Sequence, residues 1–170
     1  RILAAAESTA RVTSGIFQHR FDPIYQVLKE MLAEAAIGKL LTISAQHQCW
    51  RSESYYTSDA WRGTLAGEGG SLLINQSIHF LDVLQWVTGG VASVSAHVAN
   101  LGHQGIIETE DTAAISLRLK NGALGSFTAT SSSHREWESA YQIVGTEGDI
   151  HIKNGKLESC SHRNSGQDDV

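Results

Sequence analysis

The stretch that decides the fold is Thr112–Thr130, TAAISLRLKNGALGSFTAT, where two runs of alternating apolar and polar residues flank Asn121-Gly122. Asn-Gly is the preferred two-residue turn of a β-hairpin because both positions accept a positive φ. Alternation of this kind is typical of a strand with one buried face and one wetted face. The sequence therefore predicts an antiparallel hairpin with strands at Thr112–Leu119 and Ala123–Thr130.

Strand patterns continue on both sides of this hairpin. Four more segments carry them: Leu40–Trp50, Val91–Leu101, Trp137–Val144 and Asp149–Lys153. Turn signals separate the later ones, with Gly145-Thr146-Glu147-Gly148 inside the pair and Asn154-Gly155 after it. We expect the second half of the chain to be an antiparallel meander.

Helical patterns are concentrated before residue 90. Ser71–Thr88 is the strongest, closed by Gly89-Gly90, and Ile24–Ala36 is amphipathic, entered through Asp22-Pro23 and stopped at Gly38. The first eleven residues read as the end of an Ala-rich helix, followed by a short buried strand at Val12–Phe17. The predicted fold class is α+β, with an open, mostly antiparallel or mixed sheet and helices on one face.

Composition narrows the choice of partners. Thirteen Lys and Arg residues against eighteen Asp and Glu give a net charge of -5, which argues against a nucleic-acid or anionic-membrane partner. No run approaches the ~18 apolar residues of a transmembrane helix and no signal-peptide pattern is present, so a cytoplasmic location is expected. Cys49 and Cys160 are expected to be buried free thiols, and His47-Gln48-Cys49 offers too few ligands for zinc.

The helix at Ser71–Thr88 carries the chemistry-bearing side chains. At 100° per residue, Asn75, His79, Asp82 and Trp86 fall on one narrow stripe of a largely apolar helix. Asp82, three residues after His79, is in position to accept a proton from one ring nitrogen and leave the other as a base. The alternative is a His-Asp pair on the helix surface that only supports the helix.

The glycines that precede this helix do not form a known nucleotide motif. Gly67-Glu68-Gly69-Gly70 is neither G-x-G-x-x-G nor a P-loop, so its expected role is to let the backbone turn sharply. Ser71 is not part of a nucleophile elbow.

Four blocks of the chain resemble the Gfo/Idh/MocA oxidoreductases in order and spacing. They are Phe17–Pro23, Tyr55-Tyr56 with Trp61–Thr64, Gly69-Gly70 through Asn75 and His79 to Trp86, and Ile143–Ile150. The resemblance implies a two-domain enzyme with an N-terminal Rossmann domain and a C-terminal domain that contacts the substrate. On this basis residues 1–17 are the end of the first domain, and residues 18–170 are the second domain, truncated at its C-terminal end.

The resemblance also implies a cofactor that this chain alone does not hold. The Gly-rich fingerprint and the Glu-Lys-Pro motif of the family precede the part of the enzyme that this chain resembles. We therefore expect NAD or NADP in the full-length enzyme, no cofactor bound to this chain, and no turnover by this chain alone.

By the same resemblance, His79 is the catalytic acid/base, and Asn75 stands where many members have Asp. The implied substrate-contacting residues are Arg20, Arg62, Trp61, Tyr55, Tyr56 and Asp82. The implied substrate is a sugar, inositol or nucleotide sugar, with an aromatic wall against the sugar face. For the two arginines a purely structural ion pair remains open, and for the whole chain so does a non-catalytic ligand-binding and oligomerisation module.

One face of the predicted sheet has no helix to cover it. After residue 90 its strands alternate Ala, Ser and Thr with Leu and Ile, a composition that suits sheet-to-sheet packing between subunits. A homo-oligomer assembled through this face is expected.

Overall fold

The computed structural model describes residues 2–9 and 11–162, and its centre is a seven-stranded sheet in the order β2-β3-β4-β1-β5-β6-β7. The strands are β1 (Leu40–Trp50), β2 (Val91–Ala99), β3 (Thr112–Leu119), β4 (Leu124–Thr130), β5 (Ser132–Gly145), β6 (Gly148–Lys153) and β7 (Lys156–His162). Helices lie on one face, so the α+β class with an open mixed sheet is confirmed.

The hairpin predicted from the central stretch is present. β3 and β4 pair antiparallel, with Leu117 opposite Gly125. In the turn Gly122 adopts a positive φ of 90°, and the Asn121 side-chain oxygen accepts a hydrogen bond from the Ala123 N–H at 3.0 Å. Local turn chemistry therefore sets this register.

The meander prediction was wrong at its centre. β1, from the first half of the chain, lies between β4 and β5, parallel to the former and antiparallel to the latter. Its alternate residues Ile43, Ala45 and His47 are buried among both neighbours. A strand with this buried face is stabilised more when neighbouring strands pair with both of its edges than when it lies at the edge of the sheet.

Within the described residues, four α-helices, one 3₁₀ turn and one π turn complete the fold. The α-helices are α1 (Ile2–Thr9), α2 (Pro23–Ala33), α3 (Glu53–Thr57) and α4 (Ile78–Thr88), and a 3₁₀ turn covers Gln18–Phe21 and a π turn Leu72–Gln76. α2 and α4 pack against the sheet around fully buried Tyr25, Phe80 and Tyr141. Gly89 ends α4 in the left-handed conformation, φ 83°, as predicted.

Three local predictions differ from the structure. Residues 11–17 form neither helix nor strand, and Val12 is 97% exposed rather than buried. α2 ends at Ala33 because Ala35 takes a positive φ, which turns the chain so that Ile37 enters the core. Cys49 and Cys160 are both free, but Cys160 is exposed on β7.

The sheet face away from α2 and α4 carries small polar side chains. One row across four paired strands consists of serines: Ser95, Ser116, Ser126 and Ser44. Within the described residues no helix is long and apolar enough to cross a membrane. The part of the predicted second domain beyond His162 lies outside the described residues.

Candidate functional site

A π turn, not a continuous α-helix, leads into α4. The Ser77 N–H donates to the Leu72 carbonyl at 2.7 Å, a bond that spans five residues. The Glu110 carboxylate, from the loop before β3, accepts the N–H groups of Ser71 at 3.2 Å and Leu73 at 2.9 Å. π turns are frequent at functional sites because they change which side chains share a face.

The change in helix type divides the predicted stripe of polar side chains. Asn75 and His79 line an open cleft of about 390 Å³, together with Trp61, Gly67, Glu68, Ile74 and Ile78. Asp82 and Trp86 instead lie beside Arg20. The cleft therefore brings together three predicted site residues, Asn75, His79 and Trp61.

Glu68 is a cleft residue that the sequence analysis missed. Its carboxylate accepts the Asn75 amide N–H at 2.6 Å and the Gly63 backbone N–H at 2.6 Å. It therefore ties the glycine-rich loop to the π turn and fixes the Asn75 amide. The signal in the sequence was an acidic residue within a glycine-rich segment, directly before the helix that carries Asn75 and His79.

One of the two ring nitrogens of His79 is buried. Nδ1 is buried and has no hydrogen-bond partner among the described residues, and Nε2 lies 3.5 Å from the Gln18 amide nitrogen, longer than an ordinary hydrogen bond. Burial lowers the pKa of His79, nearby His19 lowers it further, and Asp82 opposes both. The ring is thus neutral near pH 7, with Nε2 able to accept a proton.

Asp82 does not bond to the His79 ring. Both of its carboxylate oxygens are taken by Arg20, through Nε at 2.7 Å and Nη2 at 2.6 Å. Asp82 is 3% exposed and Arg20 lies over the Trp86 ring. The structural ion pair that was open for Arg20 is present, and it occupies the Asp82 oxygens that a substrate would need.

Arg62 and Tyr55 belong to a stack of alternating cations and aromatic rings. The guanidinium of Arg62 lies 4.6 Å from the Trp61 ring centre and 4.4 Å from that of Tyr55, and the guanidinium of Arg51 lies 5.0 Å from the Tyr55 ring centre. Arg62 also pairs with Asp59 at 2.9 Å and donates to the Tyr55 hydroxyl at 2.7 Å. This stack holds Trp61 at the cleft.

Tyr56 is not available to a ligand. It is 4% exposed, and its hydroxyl lies 2.9 Å from the Ser131 hydroxyl. Of the three aromatic residues expected to form a wall against a sugar, only Trp61 lines the cleft, because Tyr56 points into the core and Tyr55 lies behind Arg62.

His47 on β1 is a second buried imidazole that sequence reasoning did not assign to this region. It stacks on Phe80, with ring centres 4.4 Å apart, and packs against Trp137 at 4.5 Å with the ring planes tilted by 59°. Nδ1 lies 2.9 Å from the Ser77 hydroxyl, and Nε2 is buried and unpaired within the described part of the chain. Burial, with help from Arg51, lowers its pKa to about 4.

This burial predicts acid sensitivity of the fold. The unfolded ring takes up its proton near pH 6.5 and the folded ring only near 4, so His47 destabilises the fold progressively as the pH falls between these values. We expect about 3 kcal/mol of unfolding free energy to be lost over that window.

Urea unfolding of wild type and His47→Gln at several pH values measures this loss. The variant should show a flatter pH dependence, whereas His134→Gln, at an exposed position, should follow wild type. Equal slopes in wild type and His47→Gln would remove His47 as the cause.

A further buried cluster contains the residues of a Ser-His-Asp triad but connects them through different hydrogen bonds. Asp111 Oδ2 and the Ser132 hydroxyl both lie against the same ring nitrogen of His103, at 2.9 and 3.1 Å. The other nitrogen contacts the Arg51 carbonyl at 2.7 Å. No nitrogen is left to activate the serine, so this cluster ties the loop before β3 to the end of β1.

Comparison with known proteins finds dehydrogenases among the relatives of this chain. Levoglucosan dehydrogenase of Pseudarthrobacter phenanthrenivorans is 25% identical in an alignment 157 positions long that covers 79% of this chain and 40% of that enzyme. The chain thus spans less than half the length of this relative.

Solved structures extend the likeness. The WlbA dehydrogenase of Bordetella pertussis, in complex with NADH and UDP-GlcNAcA, superposes with a TM-score of 0.88 at 26% identity, over 96% of this chain and 51% of that one. Its counterpart from Chromobacterium violaceum, with the same two ligands, gives a TM-score of 0.86 at 28% identity, over 95% and 47% of the two chains.

The family profile agrees with these relatives over most of the sequence. The GFO/IDH/MocA C-terminal domain matches residues 25–151, a span that contains the π turn, α4 and the cleft. Because this profile matches most of the chain and the superposed structures are dehydrogenases, this chain belongs to the C-terminal domain family of the Gfo/Idh/MocA oxidoreductases.

Proposed function

We propose that this chain is the substrate-binding and catalytic-histidine half of an NAD(P)-dependent dehydrogenase that oxidises a hydroxyl group of a sugar, inositol or nucleotide sugar. The observation that carries the proposal is a half-buried, neutral His79 on the wall of the cleft, with its Nδ1 buried and Nε2 left to react. The relatives named above, which act on or bind sugars and nucleotide sugars, support the substrate class.

Each cleft residue has a chemical task in this proposal. His79 Nε2 accepts the proton of the substrate hydroxyl, since a neutral imidazole is the best-matched base near pH 7. The Asn75 amide, held by Glu68, keeps one N–H and its oxygen for sugar hydroxyls but cannot relay a proton. Trp61 offers a flat apolar surface to one sugar face.

The two arginines do not line the cleft, so they are proposed to contact parts of the substrate away from the reacting carbon. Arg20 is 38% exposed and Arg62 21% exposed, and part of each guanidinium is hydrogen-bonded to a carboxylate. Their remaining N–H groups are available to hydroxyl, carboxylate or phosphate oxygens of a substrate.

The cofactor is assigned to a Rossmann domain of which residues 1–17 are the end. NAD(P), when bound there, supplies the hydride acceptor. The open cleft that His79 lines fits a site completed by another domain. The chain alone is accordingly proposed to lack turnover, and its cytoplasmic location remains a prediction from the sequence.

Oxidation assays on the protein encoded by the whole gene test this function. With NAD⁺ or NADP⁺, levoglucosan and a UDP-sugar as probes, we expect substrate-dependent reduction of the nicotinamide, absent from the 170-residue chain alone. A gene without a Rossmann segment, together with sugar binding but no oxidation, would instead establish the non-catalytic ligand-binding module.

Assembly through the open sheet face is a second part of the proposal. The serines in the row from Ser95 to Ser44 are exposed, apart from half-buried Ser126, and are small enough for a second sheet to approach closely. Sedimentation at increasing concentration should show a dimer or larger species, and Ser116→Arg should weaken it, while Glu34→Arg, at an exposed site after α2, should not. Only monomer at high concentration would contradict this assembly.

A further inference from the structure

The side-chain amide of Asn75 has a defined orientation. Its nitrogen donates a hydrogen bond to Glu68 Oε1 at 2.6 Å. A carboxylate offers only acceptors, so the amide atom that contacts it is the nitrogen and not the carbonyl oxygen. The orientation of the Asn75 amide is therefore set by the residue that it meets in the glycine-rich loop.

This orientation leaves the carbonyl oxygen of Asn75 without a protein partner. Oδ1 accepts no hydrogen bond within residues 2–9 and 11–162, and it is not one of the buried polar atoms that lack a partner there. Since it is unpaired and not buried, Oδ1 is accessible. Asn75 lines the cleft together with His79, so this oxygen is available to a ligand that fills the cleft.

Glu68 is itself held in place by a second donor. Its other oxygen, Oε2, accepts the Gly63 N–H at 2.6 Å. Gly63 is buried in the loop, and its own carbonyl accepts the Glu108 N–H at 2.8 Å. Because each oxygen has its own donor, the carboxylate cannot rotate without the loss of a hydrogen bond. Glu68 is thus a fixed acceptor beside Asn75.

We infer that Glu68 is a positioning residue that makes Asn75 an acceptor for the substrate. With the amide nitrogen held by Glu68, Oδ1 accepts a hydrogen bond from a hydroxyl or amino group close to the hydroxyl that His79 deprotonates. This role rests on the proposed function of His79 as the base. It assigns to the cleft a preference for substrates with two neighbouring donor groups, a diol or an amino alcohol.

Exchange of the two side chains provides a test that reverses the hydrogen bond. In Glu68→Gln the side-chain oxygen can still accept the Gly63 N–H, but the new NH₂ group faces the Asn75 amide, which has to turn over and lose its free oxygen. In Asn75→Asp two carboxylates meet at hydrogen-bond distance and repel. In the double variant Glu68→Gln/Asn75→Asp the glutamine NH₂ donates to the aspartate, and an aspartate oxygen is again free to accept.

NMR of the ¹⁵N-labelled 170-residue chain measures the orientation without any need for activity. Exchange of the Asn75 NH₂ protons with water should be about tenfold faster in Glu68→Gln than in wild type, because a hydrogen bond to a carboxylate is lost. The matched control is Glu108→Gln. The Glu108 carboxylate also accepts a loop N–H, from Leu65 at 2.9 Å, and this variant should leave the exchange of Asn75 unchanged. Equal exchange in wild type and Glu68→Gln would overturn the inference.

Kinetics of the two-domain enzyme separate a positioning role from a purely structural one. With levoglucosan and a UDP-sugar as probes, Glu68→Gln and Asn75→Asp should each raise KM about tenfold with little change in kcat, and the double variant should recover most of the loss. Oxidation of neither probe by wild type would contradict the proposed function, whereas the exchange rates in the chain would still decide the orientation of Asn75.

Analogues of the oxidised probe that each lack one hydroxyl complete the test. One of them should have a raised KM with wild type and with the double variant, but the KM of its parent with Glu68→Gln, where the acceptor is lost. A structural tie between loop and π turn would be restored by the exchange without any such change in selectivity. The same penalty for every analogue in all of these enzymes would therefore overturn the role of Glu68 and leave that of His79 intact.

Discussion

Replacing His79 with alanine in the two-domain enzyme should slow hydride transfer by about 10²- to 10⁴-fold, the range that a positioned general base contributes. The hydroxyl proton must leave as the hydride departs, and His79, whose Nδ1 is buried, lines the cleft beside Asn75 and Trp61. Substrate affinity should change far less, because the proton is transferred only in the transition state. Rapid-mixing absorbance of the reduced nicotinamide measures the step.

Control variants separate this effect from general damage. His134→Ala removes an exposed imidazole from β5 and should leave the transfer rate within about twofold of wild type. Turnover of His79→Ala at the wild-type rate would remove this residue from the mechanism.

Replacing Asp111 with alanine should lower the free energy of unfolding by about 3–5 kcal/mol, as for other buried charges that lose their partners. The carboxylate is fully buried and accepts the backbone N–H groups of Leu101, Gly102 and His103 at 2.9, 2.7 and 2.9 Å. It also meets the His103 ring at 2.9 Å and the Ser132 hydroxyl at 3.1 Å. Alanine leaves these donors buried with fewer acceptors.

The same carboxylate predicts a pH dependence of stability. Burial on its own raises the pKa of Asp111, but hydrogen bonds from the Leu101 N–H and the His103 ring outweigh it and bring the pKa down to about 2. The folded value lies below the unfolded one, so this stabilisation is complete above about pH 4 and disappears as the pH falls toward 2.

Urea unfolding at pH 7 and at lower pH measures both effects. Glu136→Ala, which removes an exposed carboxylate from β5, should shift stability by less than about 0.5 kcal/mol. An Asp111→Ala protein as stable as Glu136→Ala would show that the cluster is dispensable.

Local chemistry made much of the fold predictable. The β3–β4 hairpin follows from Asn121-Gly122 and from alternation on both sides, and α4 ends where Gly89 allows a left-handed residue. The place of β1 between β4 and β5 was not predictable in this way. Parallel pairing across some eighty residues leaves no signal in either strand's own pattern.

The site was predictable in its residues but only partly in its geometry. The π turn depends on Glu110, a residue far along the chain, so the pattern of Ser71–Thr88 alone indicates a regular α-helix. The sequence pattern likewise does not show that Arg20 is the partner of Asp82, because the two residues are 62 positions apart.

The sequence pattern also did not predict which of the aromatic residues are buried. Tyr55 and Tyr56 are adjacent in α3, yet one joins the arginine stack and the other enters the core. Adjacent residues of α3 point in different directions, and only the position of the neighbouring β4–β5 junction at Ser131 decides which of them is buried.

The pH dependence of hydride transfer, measured in a single turnover of the two-domain enzyme, tests the role of His79 most directly. Wild type should lose activity on the acid side through one ionisation below the ordinary histidine value of 6.5, since burial and His19 lower the pKa of this ring. His79→Gln should be slow and lack that limb. An identical acid limb in wild type and His79→Gln would contradict the assignment of His79 as the base.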